Sequence, residues 1–220
     1  AEKFTDVRDL VVRTCDKYSE LDAFIFRRSP KLSEVHRIFF EYGNDIKGLA
    51  TYILNSKYAG DRLAVVGENA CEWFVAYNAI LSSGAVGVPL DRMLPEEELI
   101  QLLVRSKAKM IFYHHKHHKM MLSIAQKIKS GELDIPLDTF VIFYKEGLTG
   151  KTPDDTWPED DKRFVDIYDL IREGNFLREA GDTKFEDTEI DVNATKIILF
   201  TSGTTSMSKG VLLSHNNITS

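Results

Sequence analysis

Cysteine, long apolar runs and basic stripes are scarce in this 220-residue sequence, and each shortage closes off a class of protein. Its two cysteines, Cys15 and Cys71, are too few for a disulfide framework. Each sits in an apolar, helix-like pattern, so both read as reduced core residues of a cytoplasmic protein. No stretch reaches the roughly 18 consecutive apolar residues a membrane span needs, so no transmembrane segment is expected. The amino-terminal Ala1-Glu2-Lys3-Phe4-Thr5-Asp6 has no apolar stretch of the signal-peptide kind. A net charge of −6, with no Lys/Arg stripe interleaved with aromatics, argues against a nucleic-acid surface. There is no internal repeat and no low-complexity tract.

What is present is ordinary for a soluble globular protein: 43% hydrophobic and 28% charged residues. The length allows one large domain or two small ones. Thr5 to Tyr18 carries one apolar helical face, with Thr5 or Asp6 placed to cap it. Ala23 to Arg27 and Val35 to Phe40 read as strands around a Ser29-Pro30 turn, and Asp45 to Asn55 as a helix. From Asp61 a regular alternation sets in. Strands are expected at 62–66, 86–90, 110–113 and 139–143. Helices are expected at 70–83 (capped by Asn69, ended by Gly84), after Pro95, and at 116–129. This βαβαβαβ order with short connections predicts an α/β fold: a layered, mostly parallel sheet with helices on both faces. Glu146 to Lys162 reads as a surface excursion, Val165 to Arg172 as a short helix, and Phe185 to Asn193 as an irregular, acidic lead-in.

The stretch from Lys196 to Ser214 is the most informative. Ile197 to Phe200 is a continuous apolar run, the pattern of a strand buried on both faces. Thr201, Ser202, Gly203, Thr204, Thr205 and Ser206 follow, then Ser208, Lys209 and a second apolar run from Val211 to Leu213. Small residues let a backbone approach an anion with its N–H groups turned inward, hydroxyls add neutral donors, and one lysine adds a point charge. A polar hairpin between two strands has the same composition, so composition alone leaves both readings open.

The spacing T-S-G-T-T-S-x-S-K-G resembles the phosphate-binding signature of the adenylate-forming superfamily: acyl-CoA synthetases, luciferases and peptide-synthetase adenylation domains. The family commonly shows T-S-G-T-T-G-x-P-K-G, so Ser206 and Ser208 depart from it; both are small. The S-K pair is most similar to long-chain acyl-CoA synthetase-like members. Asp61-Arg62-Leu63-Ala64-Val65-Val66, then Asn69 through Leu90 with Glu72-Trp73, Gly84-Ala85 and Val88-Pro89-Leu90, resembles the first core block of acyl-CoA synthetases. There Trp73, Ala76, Ala79 and Ile80 would face the sheet. The resemblance covers nearly the whole chain.

That resemblance implies an ATP-dependent ligase. A carboxylic acid, fatty by the nearest likeness, would be activated to an acyl-adenylate and passed to CoA. ATP and CoA are then the co-substrates and Mg²⁺ the metal. Thr201, Ser202, Gly203, Thr204, Thr205, Ser206 and Lys209 are the expected phosphate ligands, Thr201 also a metal contact. The resemblance places no catalytic residue in this chain. Family members are much longer, so the chain is expected to be the N-terminal portion of an adenylate-forming domain. The adenine, ribose and catalytic-lysine sites would lie beyond Ser220, and the chain alone would be inactive. The alternatives are an enzyme loading a carrier protein and a folded, non-catalytic fragment.

Other signals weigh less. Gly147-Leu-Thr-Gly-Lys-Thr152 imitates a Walker loop but has Lys145 where a glycine belongs. His114, His115, His117 and His118 cluster as a metal site would, yet neighbouring histidines diverge on a helix, so a solvated helix start is expected. Ser214-His215-Asn-Asn matches a family S-H-x-N, with Ser214 placed as an N-cap. Trp73 reads as core.

Overall fold

The computed structural model describes residues 3–28, 31–201 and 208–220. Helix α1 (Val7–Lys17) is capped by Asp6, whose carboxylate accepts from the Asp9 N–H at 2.8 Å. Strands β1 (Asp22–Phe26) and β2 (Val35–Ile38) form their own antiparallel pair. Helix α2 (Phe39–Asn55) begins six residues before the expected Asp45, with Glu41 reaching back to the Ile38 N–H at 3.3 Å. The aromatic pair Phe39-Phe40 imitates a strand, but packing of α2 overrides that local preference.

The main alternation then appears as expected: β3 (Arg62–Val66), α3 (Cys71–Ser82), β4 (Val86–Leu90), α4 (Glu96–Ser106), β5 (Met110–His114), α5 (His118–Ser130) and β6 (Thr139–Phe143). Next come β7 (Phe164–Asp166), α6 (Ile167–Glu179), α7 (Lys184–Asp187), β8 (Ile197–Thr201), β9 (Lys209–Leu213) and α8 (Asn216–Thr219). Seven strands form one sheet in the order β7-β6-β5-β3-β4-β8-β9, parallel throughout except that β9 runs antiparallel to β8.

The order explains the layers. The chain steps from β3 to β4, then crosses back over β3 to β5 and continues outward to β6 and β7. Right-handed crossovers in opposite directions put their helices on opposite faces. One core accordingly holds Leu63, Val65, Met110, Phe112 and Val141 under α2, α3 and α6. The other holds Ala64, Val66, Ile111, Phe140 and Ile142 under α4 and α5. Alternate residues of each strand serve the two cores, which is why these strands are apolar without alternation.

Several sequence expectations need correction. Asn69 is not the cap of α3: Ala70 takes that place without a side-chain hydrogen bond. Trp73 is half-buried but packs against the core beside Phe74 and Tyr77, in keeping with its reading as core, and Ala76, Ala79 and Ile80 are fully buried. The expected helix 165–172 is a three-residue strand followed by a helix that runs on to Glu179. Among the described residues no helix is long and apolar enough to cross a membrane. Both cysteines are free and buried.

Candidate phosphate-binding site

Strand β8 is not buried on both faces. Ile197 is buried, but Leu199 is 39% exposed and its partner strand carries Leu212 at 62%. The reason is position: β8 registers with β4 at Gly87↔Ile197 alone, where the Gly87 N–H donates to the Lys196 carbonyl at 2.8 Å. Beyond that pair β8 stays beside β4, with Ile198 and Phe200 packed against the core under α4 and α5, but it makes no further ladder pair. Because β8 is parallel to β4, its carboxyl end emerges at the same edge as the carboxyl ends of β3, β4 and β5, the edge where open α/β sheets bind ligands.

Thr201 closes β8 and Lys209 opens β9, and the two are register partners. Partner residues of an antiparallel pair share a face, so the hydroxyl and the ammonium stand on one side of the hairpin. The Thr201 hydroxyl donates to the Lys209 carbonyl at 3.4 Å. Both residues are exposed, and among the described residues Lys209 has no carboxylate partner. Ser202, Gly203, Thr204, Thr205 and Ser206 lie outside the described residues. Two expected site residues are thus placed together at the carboxyl edge. Among the described residues no group of three or more His, Cys, Asp or Glu is arranged to hold a metal, so a metal here depends on oxygens such as the Thr201 hydroxyl and on its ligand's own.

Sequence reasoning missed Arg105, near the end of α4. Its guanidinium donates to the Ser208 carbonyl at 2.6 Å and lies 5.1 Å from the Phe200 ring centroid. Nothing local in the sequence announces contacts about a hundred positions away.

A second feature sits at the same edge, where the chain leaves the paired strands β3 and β5 for opposite faces. There a crevice of ≈ 680 Å³ is lined by Phe24, Phe26, Arg28, Glu72, His114 and Tyr144, among others. Its central charges are already paired. Arg28 donates to Glu72 at 2.7 Å, and the Tyr168 hydroxyl donates to the same carboxylate oxygen at 2.8 Å. Burial pushes the Glu72 carboxyl up, but the Arg28 guanidinium more than offsets this and holds it below its usual range.

The histidine cluster is not a solvated helix start. His114, His117 and His118 are 7%, 9% and 1% exposed. His118 bonds the Thr156 carbonyl through Nε2 at 3.1 Å and the Tyr113 hydroxyl through Nδ1 at 2.9 Å. A carbonyl only accepts, so Nε2 carries the proton and Nδ1 accepts from the tyrosine. Burial pushes its imidazolium down, so the ring is neutral at neutral pH, and it pins the 146–162 excursion to α5. His215 is also structural: fully buried, with Nδ1 accepting the Val7 N–H at 3.3 Å. It occupies the N-cap position of α8 in place of Ser214. The Walker-like segment leads into a 3-10 turn at Pro153–Asp155, with no helix N-terminus to cradle phosphate.

Burial, with His115 and Lys116 beside it, pushes the His114 imidazolium down to about 4. In the unfolded chain a histidine titrates near ~6.5. The folded state therefore binds fewer protons between those values. Stability should be flat above about pH 6.5, fall as pH drops to about 4, and level off there, a loss of about 3 kcal/mol from this residue. Denaturant melts of wild type and His114→Gln across pH 4–7 check this. An unchanged pH slope in the variant would mean that His114 is not the buried neutral group.

The family model described as AMP-binding enzyme matches residues 13–220. A probable acyl-activating enzyme of Arabidopsis thaliana is 23% identical over 220 residues, covering 99% of this chain and 29% of that relative. A medium-chain fatty-acid–CoA ligase of Escherichia coli (strain K12) is 30% identical over 162 residues, 73% of this chain and 25% of the ligase. The crystal structure of an anthranilate CoA ligase in complex with anthranoyl-AMP superimposes with a TM-score of 0.71 at 18% identity, over 99% of this chain and 36% of that one. The chain thus spans less than a third of the length of either curated relative.

Proposed function

We propose, from the premise that this chain belongs to the AMP-binding enzyme family, that it supplies the pyrophosphate-holding edge of a ligase that activates a carboxylic acid with ATP and passes the acyl group to CoA. The observation that carries this is the pairing of Thr201 and Lys209, which flank the hydroxyl-rich sequence 202–208, on the sheet's carboxyl edge. The likeness to a fatty-acid–CoA ligase supports a fatty substrate and CoA as acceptor.

In the first half-reaction a carboxylate oxygen bonds to the α-phosphorus of ATP as the bond from that phosphorus to the departing pyrophosphate breaks. Negative charge grows on the leaving group. Lys209 and the loop's hydroxyls and N–H groups stabilise that charge where it develops. In the second, the CoA sulfur bonds to the acyl carbon, AMP leaves, and the thiol proton passes to solvent. Magnesium, when bound, neutralises phosphate charge; the phosphates would supply most of its oxygens and the Thr201 hydroxyl one. Thr201 fits that modest role, being an exposed oxygen beside the lysine.

Acid-dependent exchange of labelled pyrophosphate into ATP by the complete polypeptide is the test, with aliphatic and aromatic acids of graded length. Acyl-thioester formation with CoA, set against a carrier protein, then identifies the acceptor. Absence of exchange with every acid would overturn the reading; thioester on the carrier protein alone would replace CoA.

A further inference from the structure

We propose that Arg105 is a positioning residue for the phosphate-binding hairpin, setting where Lys209 and Thr201 stand. The functional half of this rests on the acid-activation reading above; the mechanical half does not.

The hairpin needs such a support. It joins the sheet through one register pair at Ile197, and Thr201 lies four residues further on, about 13 Å at the usual rise of a strand. Over that distance the strands carry exposed apolar side chains, Leu199 and Val211 each at 39%. Past Ile197 the hold on β4 is the packing of Ile198 and Phe200, with no further ladder pair, and β9 has no neighbour but β8. Arg105 meets this free end at both stems. Its guanidinium packs on Phe200, the last apolar residue of β8, and donates to the carbonyl of Ser208, the residue before Lys209. Among the described residues no other side chain outside the hairpin hydrogen-bonds residues 199–201 or 208–210.

The anchor is rigid where it starts. Arg105 lies one residue before buried Ser106, and Leu102 and Leu103 are buried in the core under α4. Among the described residues no carboxylate pairs with it, so its donor is committed to the hairpin. A planar guanidinium can stack on a ring and donate in its own plane at once, which an ammonium does poorly.

Without Arg105, binding nucleotide must order the stems, and that cost falls on substrate and transition state alike. The loss should therefore appear in KM for ATP with kcat little changed. The experiment compares wild type, Arg105→Ala and Arg105→Lys in the complete polypeptide. First, hydrogen exchange at the amides of 198–200 and 210–212 should quicken roughly five- to tenfold in Arg105→Ala, the worth of about one hydrogen bond, with exchange in β3 and β5 unchanged. Second, KM for ATP in pyrophosphate exchange should rise by about the same factor, the KM for the acid staying constant, and Arg105→Lys should recover part of it. Unchanged hairpin exchange overturns the proposal whatever the kinetics show. Faster hairpin exchange with an unchanged KM for ATP overturns the functional half. If wild type exchanges no pyrophosphate while hairpin amides still quicken in the variant, acid activation fails and the anchor stands.

Discussion

Replacing Gly174 with alanine should lower the melting temperature by roughly 5–15 °C, although alanine is the better helix former. Gly174 lies in α6 where that helix crosses α2. A Cβ there would stand 1.8 Å from the Gly48 carbonyl oxygen and 2.9 Å from the Tyr52 nitrogen. Both are backbone atoms of α2, so no side chain can turn away. The helices must separate, and their contact buries Ile46, Leu49, Ile53, Ile167 and Ile171. Gly→Ala in a helix interior gains up to about 1 kcal/mol, whereas overpacking costs ~1–3 kcal/mol and occasionally more; a Cβ 1.8 Å from a backbone oxygen puts the cost here at about 3–5 kcal/mol. The net expectation is a loss of about 2–4 kcal/mol, with each kcal/mol moving the midpoint of a chain this size by roughly 2–4 °C. Gly48→Ala should cost less: its nearest obstacle is the Asn175 side chain at 2.6 Å, with the Ile171 carbonyl at 2.8 Å. Thermal melts of both variants decide it. A Gly174→Ala midpoint at or above wild type would show that the crossing has slack.

The same glycine shows where the sequence stops being legible. The helix expected from the sequence at 165–172 stops short of Gly174. In the fold it is the residue that lets the helix continue, because its partner is a backbone 126 positions away. The central strands were legible because double burial writes itself as an unbroken apolar run, and the helices between them because they alternate. The same rule misled at β8, which packs Ile198 and Phe200 on one core but leaves Leu199 exposed on its other face. The histidines read as solvated because polarity is a local property; Thr156, Trp157 and Phe164 fold over His118, and Phe143 and Tyr144 pack on His114. In the site, Thr201 and Lys209 were visible as a motif, and their pairing follows once the hairpin forms. Arg105 was not visible, since its partners are set by the approach of α4 to the hairpin.

Lys209→Ala should cut turnover roughly ten- to a hundredfold and leave folding nearly untouched. The ammonium is exposed at the first residue of β9, Gly210 follows it, and among the described residues no carboxylate claims it. It is therefore available to a phosphate. Loss of one charge-assisted contact removes about 1.5–3 kcal/mol. Charge on the departing pyrophosphate grows along the reaction, so part of the loss should fall on kcat and part on the KM for ATP. That split separates Lys209 from Arg105, whose removal should burden KM alone: on the proposed reading one residue would touch the charge that develops, and the other would hold the strand that carries it. Stability should change by no more than about 0.5 kcal/mol, as for an exposed side chain away from the core. Steady-state kinetics in both substrates, with a melting curve alongside, reads all three quantities. Wild-type kinetics would take Lys209 out of the site, and a large fall in melting temperature would make it a structural lysine.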